Sequence, residues 1–221
     1  MMTLDEILNA DAAPVVAILR GLRPDEALDI GAALVEAGVR LIEVPMNSPA
    51  PLDSIASLQQ TFGADALIGA GTVLDVAAVD AVAATGARLI VTPNTDPAVI
   101  ARSVALGLEP MPGFLSPTEA FSAYKAGARR LKLFPAGELG VGYIKAVRAV
   151  LPADARLWAI GGADAGSVGE WLAAGCEGIG VGSALFKPGD TAAQVSAKAK
   201  TLVAATLAAL TKLADAGARG V

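Results

Sequence analysis

The stretch AGARRLKLFP, residues 126–135, joins a helix-ending glycine to a short apolar run, and it decides the fold because the pattern recurs along the chain. It returns as AGVRLIEVP at residues 37–45, TGARLIVTP at 85–93 and AGCEGIGVGS at 174–183. Each copy predicts the end of a helix followed directly by a β-strand. Such a repeat indicates one helix and strand unit used several times.

Eight apolar runs are spread along the chain, and few polar residues interrupt them. Runs that are apolar throughout are expected of parallel strands buried on both faces. The fifth run is the least typical, because prolines fit poorly in a central strand. The predicted strands are residues 15–20, 41–46, 66–72, 89–93, 109–113, 130–135, 156–162 and 178–183.

Ala-rich amphipathic segments separate these strands, for example PDEALDIGAALVEAG at residues 24–38 and DAGSVGEWLAAG at 164–175. They open on Asp or Pro and close on Gly, as helices commonly do. Eight alternations of strand and helix predict a (β/α)8 TIM barrel, with residues 1–221 as one domain and an open, doubly wound sheet as the alternative. A last helix is predicted at about residues 191–214, outside the barrel.

The composition excludes several kinds of chemistry. The 221 residues include no histidine and one cysteine, and the formal net charge is −5. This composition excludes zinc sites, Ser-His or Cys-His nucleophile pairs and an internal disulfide. Cys176 is interpreted as a small buried residue rather than a nucleophile. The scattered positive charges disfavour nucleic acid as a partner. An acidic N-terminal stretch and the lack of a long apolar run predict a cytoplasmic protein without a membrane partner.

Counting five residues onward from the glycine of each repeat reaches Glu43, Val91, Lys132 and Gly180. One interior layer of a TIM barrel takes its four side chains from alternate strands, so we expect these four residues to share a layer. This arrangement brings a carboxylate and an amine together in an apolar interior, where ionised groups are costly.

Lys132 is the only lysine inside a predicted strand, and its burial would favour a neutral amine able to attack a carbonyl carbon. Because the chain has no histidine, Glu43 is the candidate proton carrier beside it. Phe134 is either a wall of the same pocket or part of the core. Two alternatives remain for Lys132: an outward orientation beneath the helices, or a purely structural ion pair with Glu43.

Further polar residues follow the first and third strands at their C-terminal ends, where TIM-barrel active sites lie. Arg20 is a candidate for binding a substrate carboxylate, and Thr72 is a candidate hydrogen-bond donor to the same group. The alternatives are a salt bridge at the barrel rim for Arg20 and a cap on the following helix for Thr72.

Glycines follow the seventh and eighth strands, whose loops most often bind phosphate in a TIM barrel. Gly161 and Gly162, and Gly182 with Ser183, would let backbone N–H groups approach phosphate oxygens. The alternative is that these glycines only form tight turns between strand and helix.

The motifs AILRG, IEVPMNSP, IGAGTVL, IVTPN, LKLFPA, IGG and GVGSALF occur in this order between about residues 15 and 186. In this combination the chain resembles the 2-keto-3-deoxy-6-phosphogluconate and 6-phosphogalactonate aldolases, which are class I, metal-free barrel enzymes. The resemblance implies a Schiff base on Lys132, acid and base catalysis by Glu43, no metal or other cofactor, and a homotrimer. The substrate-binding residues that it implies are Arg20 and Thr72 for the carboxylate, Pro93 and Phe134 near the imine, and Gly161, Gly162, Gly182 and Ser183 for the phosphate.

The branch of this family is indicated by EVPMNS at residues 43–48. The phosphogluconate enzymes typically carry an Arg-Thr pair after the glutamate, as in EVTLRT, whereas this chain has Asn47 and Ser48. The resemblance therefore implies a phosphogalactonate-type enzyme that releases pyruvate and D-glyceraldehyde 3-phosphate, with Asn47 and Ser48 as further substrate-binding residues. The alternative substrate is the epimeric phosphogluconate. The alternative function is that of a sugar-phosphate isomerase, epimerase or binding protein without imine chemistry. For Asn47 and Ser48, the alternative is a helix cap before Pro49.

Overall fold

The computed structural model describes residues 3–218, and its strands form one parallel sheet that curls into a nearly closed barrel. The strands are β1 (Val15–Ile18), β2 (Leu41–Pro45), β3 (Leu67–Gly71), β4 (Leu89–Val91), β5 (Glu109–Met111), β6 (Gly113–Phe114), β7 (Arg130–Leu133), β8 (Arg156–Ile160) and β9 (Cys176–Val181). The helices are α1 (Leu4–Asn9), α2 (Ala27–Glu36), α3 (Pro51–Phe62), α4 (Val76–Ala84), α5 (Pro97–Ala105), α6 (Pro117–Lys125), α7 (Ala136–Leu139), α8 (Val141–Arg148), α9 (Val168–Ala173) and α10 (Ala192–Ala218).

The strand order around the barrel is β5, β4, β3, β2, β1, β9, β8, β7, β6, so the two ends of the sheet are consecutive in the chain. Pro112 separates β5 from β6, because it has no N–H group to continue the ladder. Its carbonyl oxygen still accepts the backbone N–H of Lys132 at 2.9 Å. The two short segments therefore occupy the place of the single fifth strand, and the predicted (β/α)8 barrel is confirmed.

Side chains alternate between two apolar clusters. Val16 of β1 and Leu41 of β2 face the barrel interior, where Val91 and Trp158 join them. Their neighbours Ala17 and Ile42 face outward and pack beneath the helices. Both faces of the strands are thus buried, as their continuous apolar runs predict.

Helix α1 was not predicted, and it closes the N-terminal end of the barrel. Leu4 and Ile7 are fully buried in the interior cluster. A capping box begins the helix, since the Thr3 side chain accepts the N–H of Glu6 and the Glu6 carboxylate accepts the N–H of Thr3. The Thr3 to Glu6 spacing is the sequence signal that indicates this helix start.

A buried ion network holds this end of the barrel. The Arg130 guanidinium, only 7% exposed, lies 2.8 Å from Glu177 and 3.3 Å from Glu109. It also pairs with Asp5 of α1, while Glu177 accepts the indole N–H of Trp158 at 2.8 Å. The network therefore ties α1 to four strands, β5, β7, β8 and β9.

We expect Arg130→Met to lower the free energy of unfolding by about 3 kcal/mol, because three carboxylates would lose their shared buried partner. The matched control is Arg102→Met, whose ion pair with Asp80 is exposed and should contribute less than about 1 kcal/mol. Urea unfolding followed by tryptophan fluorescence measures both. Equal losses in the two variants would contradict a special role for the network.

Among residues 3–218, no helix combines the length and the apolar character that crossing a bilayer requires.

Candidate active site

A cavity of about 530 Å³ opens at the C-terminal end of the barrel strands. Its wall combines side chains that point up from the interior with the loops that follow β1, β3, β7, β8 and β9. The predicted site residues that line it are Arg20, Glu43, Thr72, Lys132, Phe134, Gly161, Gly162, Gly182 and Ser183.

Lys132 projects into the barrel from β7 and is 6% exposed. The outward orientation is therefore contradicted. Its Nζ atom lies 4.7 Å from the centroid of the Phe134 ring, and Phe134 is itself 37% exposed, which makes it a cavity wall rather than a core residue. Burial lowers the pKa of Lys132, the negative charge of Glu43 opposes this, and the positive charge of Arg20 adds to it. The amine is thus neutral more often than that of a solvated lysine.

Glu43 lies on β2, is 2% exposed and reaches the same cavity. Within the described part of the chain, its Oε2 atom has no hydrogen-bond partner, and no salt bridge joins Glu43 to Lys132. Burial raises the pKa of Glu43, against the positive charges of Lys132 and Arg20. A carboxyl group in this state can hold or release a proton near neutral pH, which a closed structural ion pair would prevent.

Gly71, which the sequence interpretation did not single out, makes room for Glu43. A Cβ atom at residue 71 would lie 2.0 Å from Glu43 Oε2 and 2.4 Å from its Cδ. The carboxylate therefore lies directly against the last residue of β3. The repeat pattern contains no signal for this contact, since β3 belongs to the strands between the repeated copies.

We expect Gly71→Ala to lower kcat/KM roughly 100-fold by displacing the Glu43 carboxylate. Gly142→Ala is the matched control, since an added Cβ there meets nothing within 4 Å and helix α8 can only gain stability. Steady-state cleavage assays and circular dichroism measure both variants. A folded Gly71→Ala protein with unchanged activity would show that the position of this carboxylate does not matter.

Arg20 extends over the cavity from the loop after β1, and Asn47 and Ser48 hold that loop. The Arg20 Nη1 atom donates to Asn47 Oδ1 at 2.9 Å, and the Gly21 N–H donates to the Ser48 hydroxyl at 3.0 Å. Neither residue caps α3, whose N-cap is Ala50 without a side-chain hydrogen bond. In the described residues, no salt bridge involves Arg20, so the rim salt bridge is also contradicted.

Thr72 follows β3 with a φ of +55°, in the left-handed region. A β-branched residue rarely adopts this conformation, and such strain is found mainly at functional sites. The capping role is not observed, because Asp75 caps α4 by accepting the N–H of Ala78 at 2.8 Å. Thr72 is therefore left facing the cavity.

The loops after β8 and β9 line the cavity with glycines that differ in backbone conformation. Gly161 and Gly162 have φ values of +88° and +92°, so the turn itself requires them. A Cβ at Gly182 would meet nothing closer than Ile18 at 3.9 Å, so packing does not require that glycine. Within residues 3–218, the N–H groups of Gly162, Ser183 and Ala184 bond to no carbonyl oxygen. These loops thus present free donors to the cavity.

Three predicted site residues lie outside the cavity wall: Asn47 and Ser48, described above, and Pro93. The backbone of Pro93 packs where a Cβ of Gly113 would be, 2.4 Å from its carbonyl carbon. Conversely, Ile18, Ile160 and Lys187 line the cavity without having been predicted.

Cys176 starts β9 far from these groups and is buried. Burial raises its pKa to about 12, so it remains a neutral thiol. This agrees with the prediction that it is a small buried residue.

The comparisons with known proteins agree on one family. The model described as "KDPG and KHG aldolase" matches residues 5–201. The chain is 45% identical to 2-dehydro-3-deoxy-6-phosphogalactonate aldolase of Escherichia coli (strain K12) over 192 residues, 87% of this chain and 94% of that protein. A solved structure described as "Native KDPGal structure" is 44% identical with a TM-score of 0.88, over 90% of this chain and 96% of that one. A cage "designed by fusing symmetric oligomeric domains" is 42% identical with a TM-score of 0.92, over 94% of this chain and 77% of that one.

Proposed function

Because the chain belongs to the KDPG and KHG aldolase family, we propose that it cleaves 2-dehydro-3-deoxy-6-phosphogalactonate to pyruvate and D-glyceraldehyde 3-phosphate. The enzyme is an aldolase and therefore a lyase. The observation that carries the proposed mechanism is a buried amine and a buried carboxylate in one cavity, Lys132 and Glu43.

The reaction starts at the Lys132 amine, which attacks the C2 carbonyl carbon of the substrate. Loss of water gives an imine, and its nitrogen becomes an electron sink. Glu43 accepts the C4 hydroxyl proton, directly or through water, as the bond between C3 and C4 breaks. The electron pair of that bond moves to the imine and forms an enamine, and the aldehyde leaves. Protonation at C3 and hydrolysis then release pyruvate and the free amine.

The substrate carboxylate is proposed to bind Arg20 and Thr72. Arg20 is held by a neutral partner, Asn47, so its charge stays available for an anion. Thr72 lines the same cavity from a backbone with a positive φ, and its hydroxyl can donate a hydrogen bond to the carboxylate. The phosphate is proposed to bind the free N–H groups of the loops after β8 and β9.

The galactonate configuration is supported by Asn47 and Ser48, which replace the Arg-Thr pair typical of the phosphogluconate enzymes, and by the Escherichia coli relative. The test compares kcat/KM for the two C4 epimers, with lactate dehydrogenase reporting pyruvate. We expect the phosphogalactonate substrate to be preferred. Preference for the phosphogluconate epimer would overturn the assignment, and release of no pyruvate from either would overturn the function.

We further propose that the reaction uses no metal or other cofactor, since the imine alone can serve as the electron sink. Incubation with EDTA followed by assay is expected to leave kcat unchanged. A loss of activity that added Mg²⁺ or Zn²⁺ restores would contradict this.

We also propose that the chain forms a homotrimer that works in the cytoplasm. The similar cage was built from symmetric oligomeric domains, which supports self-association. A phosphorylated substrate is charged and does not cross a bilayer unaided, which supports the location. Light scattering on the purified protein should give three times the mass of one chain, and a monomer would contradict the trimer.

A further inference from the structure

Besides Lys132, two basic side chains of the described residues line the cavity without a salt-bridge partner. No salt bridge of residues 3–218 includes Arg20 or Lys187, although both belong to the cavity wall. The other carboxylate at the wall besides Glu43 is Asp164, and its Oδ1 atom accepts the N–H groups of Gly166 and Ser167, each at 2.9 Å. Neither Arg20 nor Lys187 is thus engaged by a carboxylate of the cavity wall within the described residues.

Lys187 lacks an ion pair because the acid nearest to it in its loop is engaged elsewhere. Asp190 accepts the backbone N–H of Lys187 at 2.8 Å and the ammonium group of Lys198 at 2.7 Å. These two bonds neutralise Asp190 and fix the backbone from which the Lys187 side chain extends. The loop is thus ordered while its lysine remains free.

The loops that carry the two cations touch each other. A Cβ at Gly21, which has a φ of +84°, would lie 2.7 Å from Pro188 Cγ. The residue after Lys187 therefore packs against the residue after Arg20. From this shared contact Arg20 is drawn toward the loop after β2 by Asn47, whereas Lys187 follows the turn of Gly182 and Ser183 after β9. The two charged residues are therefore held by different loops of the cavity wall.

We propose that Lys187 is a specificity-determining residue, whose ammonium group binds the phosphate and selects phosphorylated over unphosphorylated sugar acids. The inference rests on the proposed function, because it assigns one end of that substrate. Lys187 follows the loop of Gly182 and Ser183, whose free N–H groups are proposed to bind the phosphate, and it lines the same cavity. A charge-assisted bond from Lys187 adds to the N–H groups of the neighbouring loops, which alone distinguish a phosphate from a hydroxyl less strongly.

The test uses Lys187→Met, with Lys187→Arg as the conservative variant and Lys200→Met as the matched control. Lys200 is an exposed lysine of α10 outside the cavity wall. Cleavage of 2-dehydro-3-deoxy-6-phosphogalactonate and of the same acid without phosphate is measured for each protein. We expect Lys187→Met to lower kcat/KM for the phosphorylated substrate roughly 10- to 100-fold, mainly by raising KM. The kcat/KM for the unphosphorylated acid should stay unchanged. Lys187→Arg should stay within about threefold of wild type, since Arg also binds phosphate.

The outcome also separates this inference from the proposed function. Pyruvate trapping with borohydride should be equal in wild type and Lys187→Met, because pyruvate carries no phosphate. If the wild type cleaves the phosphorylated acid and Lys187→Met keeps the full preference for it, the Lys187 inference alone is overturned. A uniform loss on both substrates also overturns it. A wild type that cleaves neither acid overturns the proposed function and the inference with it.

Discussion

Lys132→Met is expected to lower kcat roughly 10⁴-fold or more, because no imine can form without the amine. The same substitution should leave the free energy of unfolding equal or higher, by up to about 2 kcal/mol, since an apolar side chain of similar length replaces a buried ionisable group. Cleavage assays and urea unfolding together measure both effects.

This opposite response of activity and stability is characteristic of a buried group kept for chemistry. Lys145→Met on the surface of α8 is the matched control and should change neither quantity. Cleavage by Lys132→Met within tenfold of wild type would contradict the proposed role. A large destabilisation would instead indicate that Lys132 is a structural residue.

Glu43→Gln is expected to lower kcat/KM for cleavage by roughly 10² to 10⁴, because the amide cannot accept the C4 hydroxyl proton. It should also move the pH dependence of imine formation. Burial already lowers the Lys132 pKa below the ordinary 10.5, while the Glu43 charge holds it up. Removing that charge lowers the Lys132 pKa further, so the midpoint of pyruvate trapping against pH should shift to lower pH.

The control for this shift is Glu36→Gln, an exposed position on α2, which should leave the midpoint unchanged. Trapping rates measured with excess pyruvate between pH 5 and pH 10 give the midpoint. A shift to higher pH in Glu43→Gln would mean that the carboxylate does not interact with the amine as the geometry indicates.

The repeated helix and strand pattern was sufficient to predict the barrel, because strands buried on both faces leave continuous apolar runs. The same pattern predicted that Glu43 and Lys132 lie together in the barrel interior. Both line one cavity with Gly180, and Val91 belongs to the interior cluster. Counting from the repeated glycine works since each copy enters the barrel in the same register.

The break between β5 and β6 could be anticipated only as a weak strand, since the pairing of Pro112 with β7 depends on the closed barrel. Gly71 was missed because its importance arises from a side chain on a neighbouring strand. Lys187 was not predicted as a site residue, because nothing in its local sequence indicates that Asp190 is engaged by Lys198. Contacts between loops that are distant in the chain leave no periodic signal.

Asn47 and Ser48 illustrate the reverse case. The resemblance implied that they contact substrate, whereas their side chains position the loop of Arg20 from outside the cavity wall. Their effect on substrate choice would then act through the orientation of Arg20. Sequence motifs report which residues accompany a function, and only the geometry distinguishes contact from support.

The central claim is that Lys132 is a buried amine that condenses with a keto acid, and borohydride trapping with pyruvate tests it most directly. Peptide mass spectrometry should find the wild-type protein reduced to a stable secondary amine on the peptide that contains Lys132, and should find no adduct in Lys132→Met. An unmodified Lys132 in the wild type, or an adduct on a different lysine, would contradict the account.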